Sequence, residues 1–105
     1  MNFIIPKQFD LMGQTINVAF TDDLQHDKDA YGTANFRDNK ICIQKSTKHA
    51  PLPKDKLEHI FFHEVAHWVL SSMGEEELML NEKFVDSLGG LFYQAIKSSK
   101  GELKY

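Results

Sequence analysis

The sequence predicts an α+β domain, with a small, mostly antiparallel sheet of three or four strands packed on two helices. Three observations predict it. Apolar residues in the first half alternate with polar ones in short runs bounded by turn-forming residues, the period of a half-buried strand. The second half carries one helix that is apolar on almost every face and another with a single apolar face. The 105 residues suffice for one hydrophobic core and not for two, so a single domain spanning 1–105 is expected.

Phe9 and Leu11, then Ile16, Val18 and Phe20, alternate with polar residues on either side of Met12-Gly13, the pattern of a hairpin closed by a glycine turn. A polar stretch over 21–29 reads as a loop. The segments 30–36 and 40–45 form a second hairpin about Arg37-Asp38-Asn39, with Ile41 and Ile43 facing the core. Pro53 suits the first turn of a helix because its φ is already helical, and this helix is predicted over 53–72. Ile60, Phe61, Phe62, Val65, Ala66, Trp68, Val69 and Leu70 surround it with apolar side chains, which marks a helix buried between layers. The phenylalanines and Trp68 are expected in the core. Gly74 suits the end of this helix, and Glu75, Glu76 and Glu77 the positive end of a second. That second helix is predicted to run unbroken to about position 98, with Phe84, Val85, Leu88, Leu91, Phe92, Ala95 and Ile96 on its apolar face.

Composition narrows the function. The net charge of −3 comes from mixed acidic and basic residues with no basic stripe, so nucleic acid is not an expected partner. The single Cys42 excludes an internal disulfide, a four-cysteine zinc ribbon and a CxxC redox motif, and fits a reducing compartment. No secretory leader and no apolar run of membrane-spanning length is visible, so a cytoplasmic protein is expected.

His63, Glu64 and His67 form H-E-x-x-H. At about 100° per residue the two histidines lie about 40° apart, one turn from each other, and both can reach one metal ion. Glu64 falls beside them, where its carboxylate can hold a water as general base instead of ligating. In a buried helix, two imidazoles and a carboxylate without partners would each cost on the order of 1–3 kcal/mol, and a metal removes that cost. If the two helices are antiparallel about Gly74, Glu82 comes level with His67 and Asp86 with His63. This makes Glu82 the third zinc ligand and Asp86 the acceptor for the non-ligating N–H of a histidine, most naturally His63. Gly89, one turn beyond on the same face, suggests close approach of the helices.

HEVAH followed by Asn81-Glu82 and Asp86 resembles the H-E-x-x-H plus N-E-x-x-x-D signature of the glutamate zincins. The layout of short sheet, HExxH helix and glutamate helix resembles small phage-encoded metallopeptidases of the ImmA/IrrE type, firmly over the helices and loosely over the strands. The resemblance implies a minimal zincin-like fold, Zn²⁺ on His63, His67 and Glu82, Glu64 as the base, and a peptide or protein substrate lying along an edge strand. The gap from His67 to Glu82 is short for the glutamate-zincin pattern, which makes Glu77 the substitute ligand. The metzincin pattern fails, because Leu70 and Met73 stand where its glycine and third histidine belong. Without a Cys-rich ribbon the SprT-type architecture also loses support.

His59, one turn before His63, is read as structural, since a catalytic zinc keeps its fourth position for water. His26 and His49 fall in predicted loops, and Tyr31 and Tyr93 are read as packing residues with solvated hydroxyls. None is a confident oxyanion donor. The expected activity is hydrolysis of peptide bonds. The alternatives are a catalytically idle zincin-fold zinc protein that holds a phage or host regulator, and a purely structural metal site.

Overall fold

The computed structural model of the chain describes residues 3–24, 30–47 and 50–105. His26 and His49 lie outside the described residues. The fold is α+β, a mixed four-stranded sheet with three helices in the order β1 (Gln8–Leu11), β2 (Gln14–Thr21), β3 (Gly32–Asn35), β4 (Lys40–Gln44), α1 (Lys54–Ser72), α2 (Glu76–Met79) and α3 (Glu82–Ser98). Among the described residues no helix is long and apolar enough to cross a membrane.

Both hairpins form where turn chemistry places them. Leu11 pairs with Gln14 across Met12 (φ 50°) and Gly13 (φ 80°). Two successive positive φ angles define the type I′ turn, whose twist matches that of the flanking strands. β3 and β4 pair antiparallel, and their turn closes with Asn39 at φ 50°. The spatial order is β1-β2-β4-β3, and the central pair β2/β4 is parallel, with Asn17 opposite Lys40 and Thr21 opposite Gln44. Two of the three pairings are antiparallel, as expected, and the central parallel pair makes the sheet mixed. Local pattern specifies each hairpin; their association puts Ile16, Ile41 and Ile43, all fully buried, on the one face that packs against the helix.

α1 lies between the sheet and α3, which explains its lack of a polar face. Every residue from 57 to 72 is buried or half-buried. Its sheet side contributes Ile60, Phe61, Phe62 and Trp68 to a core with Ile16, Ile41 and Ile43, while Ala66 and Leu70 pack with Val85 of α3 and with Leu78 and Met79 of α2. Each of the large buried side chains contributes roughly 1.5–3 kcal/mol. Three phenylalanines stay outside this core: Phe20, Phe36 and Phe84 are 48%, 37% and 39% exposed. α1 ends in a Schellman motif, with Gly74 at φ 76° and the N–H groups of Gly74 and Glu75 bonded to the carbonyls of Ser71 and Leu70.

The predicted second helix is two helices. The Asn81 side chain accepts a hydrogen bond from the Phe84 backbone N–H at 3.1 Å, capping α3 and separating it from the single turn of α2. An asparagine side chain offers the backbone this alternative to continuing the helix. The apolar face is also narrower than predicted. Val85 is buried and Leu88 and Phe92 half-buried, whereas Leu91 and Ile96 are 64% and 43% exposed and Ala95 is exposed as well.

Gly89 sets the spacing of α1 and α3. A Cβ built on it would lie 2.8 Å from the Phe62 carbonyl oxygen and 2.9 Å from the His63 Cα, both backbone atoms that cannot turn aside. Gly89→Ala is expected to destabilise the protein by about 1–3 kcal/mol despite the better helix propensity of alanine, seen as a lower urea midpoint. An unchanged or higher midpoint would show that the helices separate freely. At the other end of the pair Glu58, 1% exposed, accepts hydrogen bonds from the Tyr93 hydroxyl at 2.9 Å and Lys97 Nζ at 2.7 Å. Burial raises the proton affinity of Glu58, but the bonds from Lys97 and Tyr93 outweigh it and hold the carboxyl below its ordinary range. The Tyr93 hydroxyl is thus engaged and not solvated, and burial together with the Glu58 bond pushes it up to about 12.

Candidate metal centre

His63 and His67 project from the middle of α1 toward α3, one turn apart, with ring centroids 5.1 Å from each other. The cap at Asn81 makes Glu82 the first residue of α3, where the positive end of the helix favours a carboxylate. Its two oxygens reach the two histidines separately: Oε2 lies 3.1 Å from His63 Nε2 and Oε1 lies 3.3 Å from His67 Nε2. One ligand atom from each of His63, His67 and Glu82 falls within 4.8 Å of the others, so the three could hold a metal ion. Glu77, on the exposed side of α2, is outside this group.

The far sides of both rings are also occupied. His63 Nδ1 lies 3.2 Å from Asp86 Oδ1, one helical turn beyond Glu82. The hydrogen bond with His63, opposed by burial and helped by His59, holds the Asp86 carboxyl below its ordinary range. His59 Nε2 approaches the same oxygen at 3.4 Å and its ring meets Tyr93 edge-on, so His59 supports Asp86 and stands outside the ligand group. The Met79 backbone carbonyl lies close enough to the His67 ring to favour its proton. Sequence reasoning did not find Met79, because a main-chain acceptor leaves no trace in residue type. Burial lowers the proton affinity of His67, with Glu82 opposing and the His63 charge reinforcing that shift.

This arrangement has more acceptors than protons. Both nitrogens of His63 face carboxylate oxygens, and a neutral imidazole carries one N–H. With Nδ1–H donated to Asp86, the Nε2 lone pair meets Glu82 Oε2 at 3.1 Å, a repulsive contact unless a cation lies between them. Charging both rings instead would place two cations 5.1 Å apart in half-buried positions. A metal ion satisfies the donor set without that penalty.

Glu64 takes a different direction. It is 6% exposed and points toward β3, where it packs on Gly32. Burial pushes its carboxyl up to about 7, a shift opposed by the His63 charge and reinforced by Glu82. Glu64, the two histidines and Glu82 share one open cleft of about 330 Å³ with Gly32, Thr33, Ala34 and Phe36 on one wall and Met79 and Leu80 on the other. β3 is an edge strand. Gln44 N–H bonds Tyr31 O at 2.8 Å, and with Thr33 opposite Cys42 the alternation of an antiparallel ladder turns the N–H and C=O of Gly32 and Ala34 away from β4. Tyr31, with Lys56 Nζ 5.1 Å from its ring centroid, is not among the residues lining the cleft.

The fold and the site together define an α+β protein with a candidate three-residue metal centre opening on a sheet edge. Compared with protein families, curated proteins and solved structures, the chain matches no family model, no curated sequence and no solved structure.

Proposed function

We propose that the protein is a zincin-like zinc metallopeptidase of the cytoplasm, hydrolysing peptide bonds in an extended polypeptide. The observation that carries the reading is the convergence of His63, His67 and Glu82 beside a buried Glu64 that stands outside their group on the same cleft. Zinc suits two imidazoles and one carboxylate, and three protein ligands with an open side are the pattern of a catalytic site, not a structural one. When bound, zinc supplies a Lewis acid that acidifies water and polarises a carbonyl.

Asp86 fixes the His63 tautomer so that Nε2 is free to ligate, and the Met79 carbonyl orients the His67 ring. The outward groups of Gly32 and Ala34 hold a substrate strand by main-chain hydrogen bonds, which gives affinity with little sequence selectivity. Glu64 accepts a proton from the attacking water as its oxygen bonds to the carbonyl carbon. It then delivers that proton to the departing amine as the C–N bond breaks. Phe36 and Leu80 line the open cleft with apolar surface on either side of the substrate strand.

Protein purified without chelator is expected to carry about one equivalent of zinc, three protein ligands being a complete catalytic set, and to cleave unstructured peptides in a reaction stopped by 1,10-phenanthroline and restored by zinc. Elemental analysis and mass spectrometry of the products check both parts. A trace of zinc only would remove the metal reading; full zinc without cleavage would remove the peptidase reading and leave the metal.

A further inference from the structure

Gly32 occupies a strand position whose backbone does not require glycine, since its φ lies outside the left-handed region. A glycine inside a strand weakens it, and the usual compensation is the close approach of another group. That group is the helix face carrying Glu64. A Cβ on Gly32 would lie 2.6 Å from Ile60 Cγ2, 2.9 Å from Glu64 Oε2 and 3.2 Å from Glu64 Cγ. Among the described residues no hydrogen bond reaches the Glu64 carboxylate, which is placed by its packing beside Gly32 and by the charges of His63 and Glu82.

The geometry points to Gly32 as a positioning residue: its missing side chain is the seat that lets the Glu64 carboxylate lie against the edge strand, beside the histidines and outside the ligand group. This rests on the peptidase reading for its catalytic consequence, though not for the contact itself. The atoms in the way belong to side chains and can move, so Gly32→Ala shifts Glu64 and Ile60 without unfolding the chain. The three atoms nearest to that Cβ belong to Ile60 and Glu64 and none to His63, His67 or Glu82, so metal binding is left intact.

Two measurements test this. The contact is tested by thermal unfolding of metal-free protein. Gly32→Ala should lower Tm by about 4–8 °C alone and by less than about 2 °C in a Glu64→Ala, Ile60→Ala background, which removes Ile60 Cγ2 and the Glu64 atoms in the way, because only neighbouring sites couple. Equal shifts in the two backgrounds would overturn the seat. The positioning role is tested on zinc-loaded protein. Gly32→Ala should keep zinc affinity within about two-fold by chelator competition and lower kcat by about 10–100-fold at nearly unchanged KM, the penalty of a reacting group displaced by about 1 Å. A raised KM with unchanged kcat would mean that Gly32 makes room for substrate instead, and would overturn the role. If zinc-loaded wild type cleaves nothing, the catalytic role falls together with the peptidase reading, and the coupled Tm values alone stand.

Discussion

Glu64→Gln is expected to lower peptide hydrolysis by about 10²–10⁴-fold while leaving the zinc content unchanged, because the substitution removes a proton acceptor and no ligand. Glutamine has the volume of glutamate, so the packing against Gly32 and Ile60 survives. Steady-state kinetics beside elemental analysis read the two effects separately. A biological effect that outlasts the substitution would assign the site to a zinc-bearing binding module instead of an enzyme. The same variant has a signature in metal-free protein. The Glu64 carboxyl binds its proton more tightly folded, at about 7, than unfolded, at 4.5. The folded state therefore holds more protons between these values, and stability is lost as pH rises through that window. Chelated wild type should lose up to about 3 kcal/mol between pH 5 and 8 relative to Glu64→Gln, measured by urea unfolding. Parallel pH profiles for the two proteins would show that burial does not hold the proton on Glu64.

His67→Ala is expected to weaken zinc binding by at least roughly 100-fold. Zinc-binding free energies of about 10–16 kcal/mol over four ligands make one ligand worth about 3 kcal/mol. Asp86→Asn should have a smaller effect, about 10-fold, since it keeps an acceptor for the His63 Nδ1–H but loses the charge. Chelator competition orders the three proteins as wild type, Asp86→Asn and His67→Ala. A larger loss from Asp86→Asn than from His67→Ala would make Asp86 a ligand and recast the centre. Because zinc binds only the folded site, chelation should also lower the wild-type Tm, and should leave that of His67→Ala unchanged at the same free zinc.

Much of this was visible before any tertiary structure. The two hairpins follow from alternation and from the residues at Met12-Gly13 and Asn39, which tolerate positive φ. The position of α1 follows from Pro53 and Gly74, and its burial on both sides follows from its apolar residues all round. The grouping of His63 with His67 is one helical turn and needs nothing else. Glu82 and Asp86 could be proposed because a helical hairpin about Gly74 brings level residues together, although the break at Asn81 changes what that hairpin is. Asn81 is the one local signal that was there to be read, as a capping residue immediately before an acidic one.

By itself, then, the sequence determined the two hairpins, the extent of α1 and the spacing of the candidate ligands His63 and His67, all of which depend on residues within one or two turns of each other. Only the tertiary structure decided the parallel pairing of β2 with β4, the exposure of Phe20, Phe36 and Phe84, the Met79 carbonyl behind His67 and the seat of Glu64 on Gly32. These depend on which surfaces meet across the chain, and such meetings are settled by burial and close packing of distant residues, for which no short-range pattern exists.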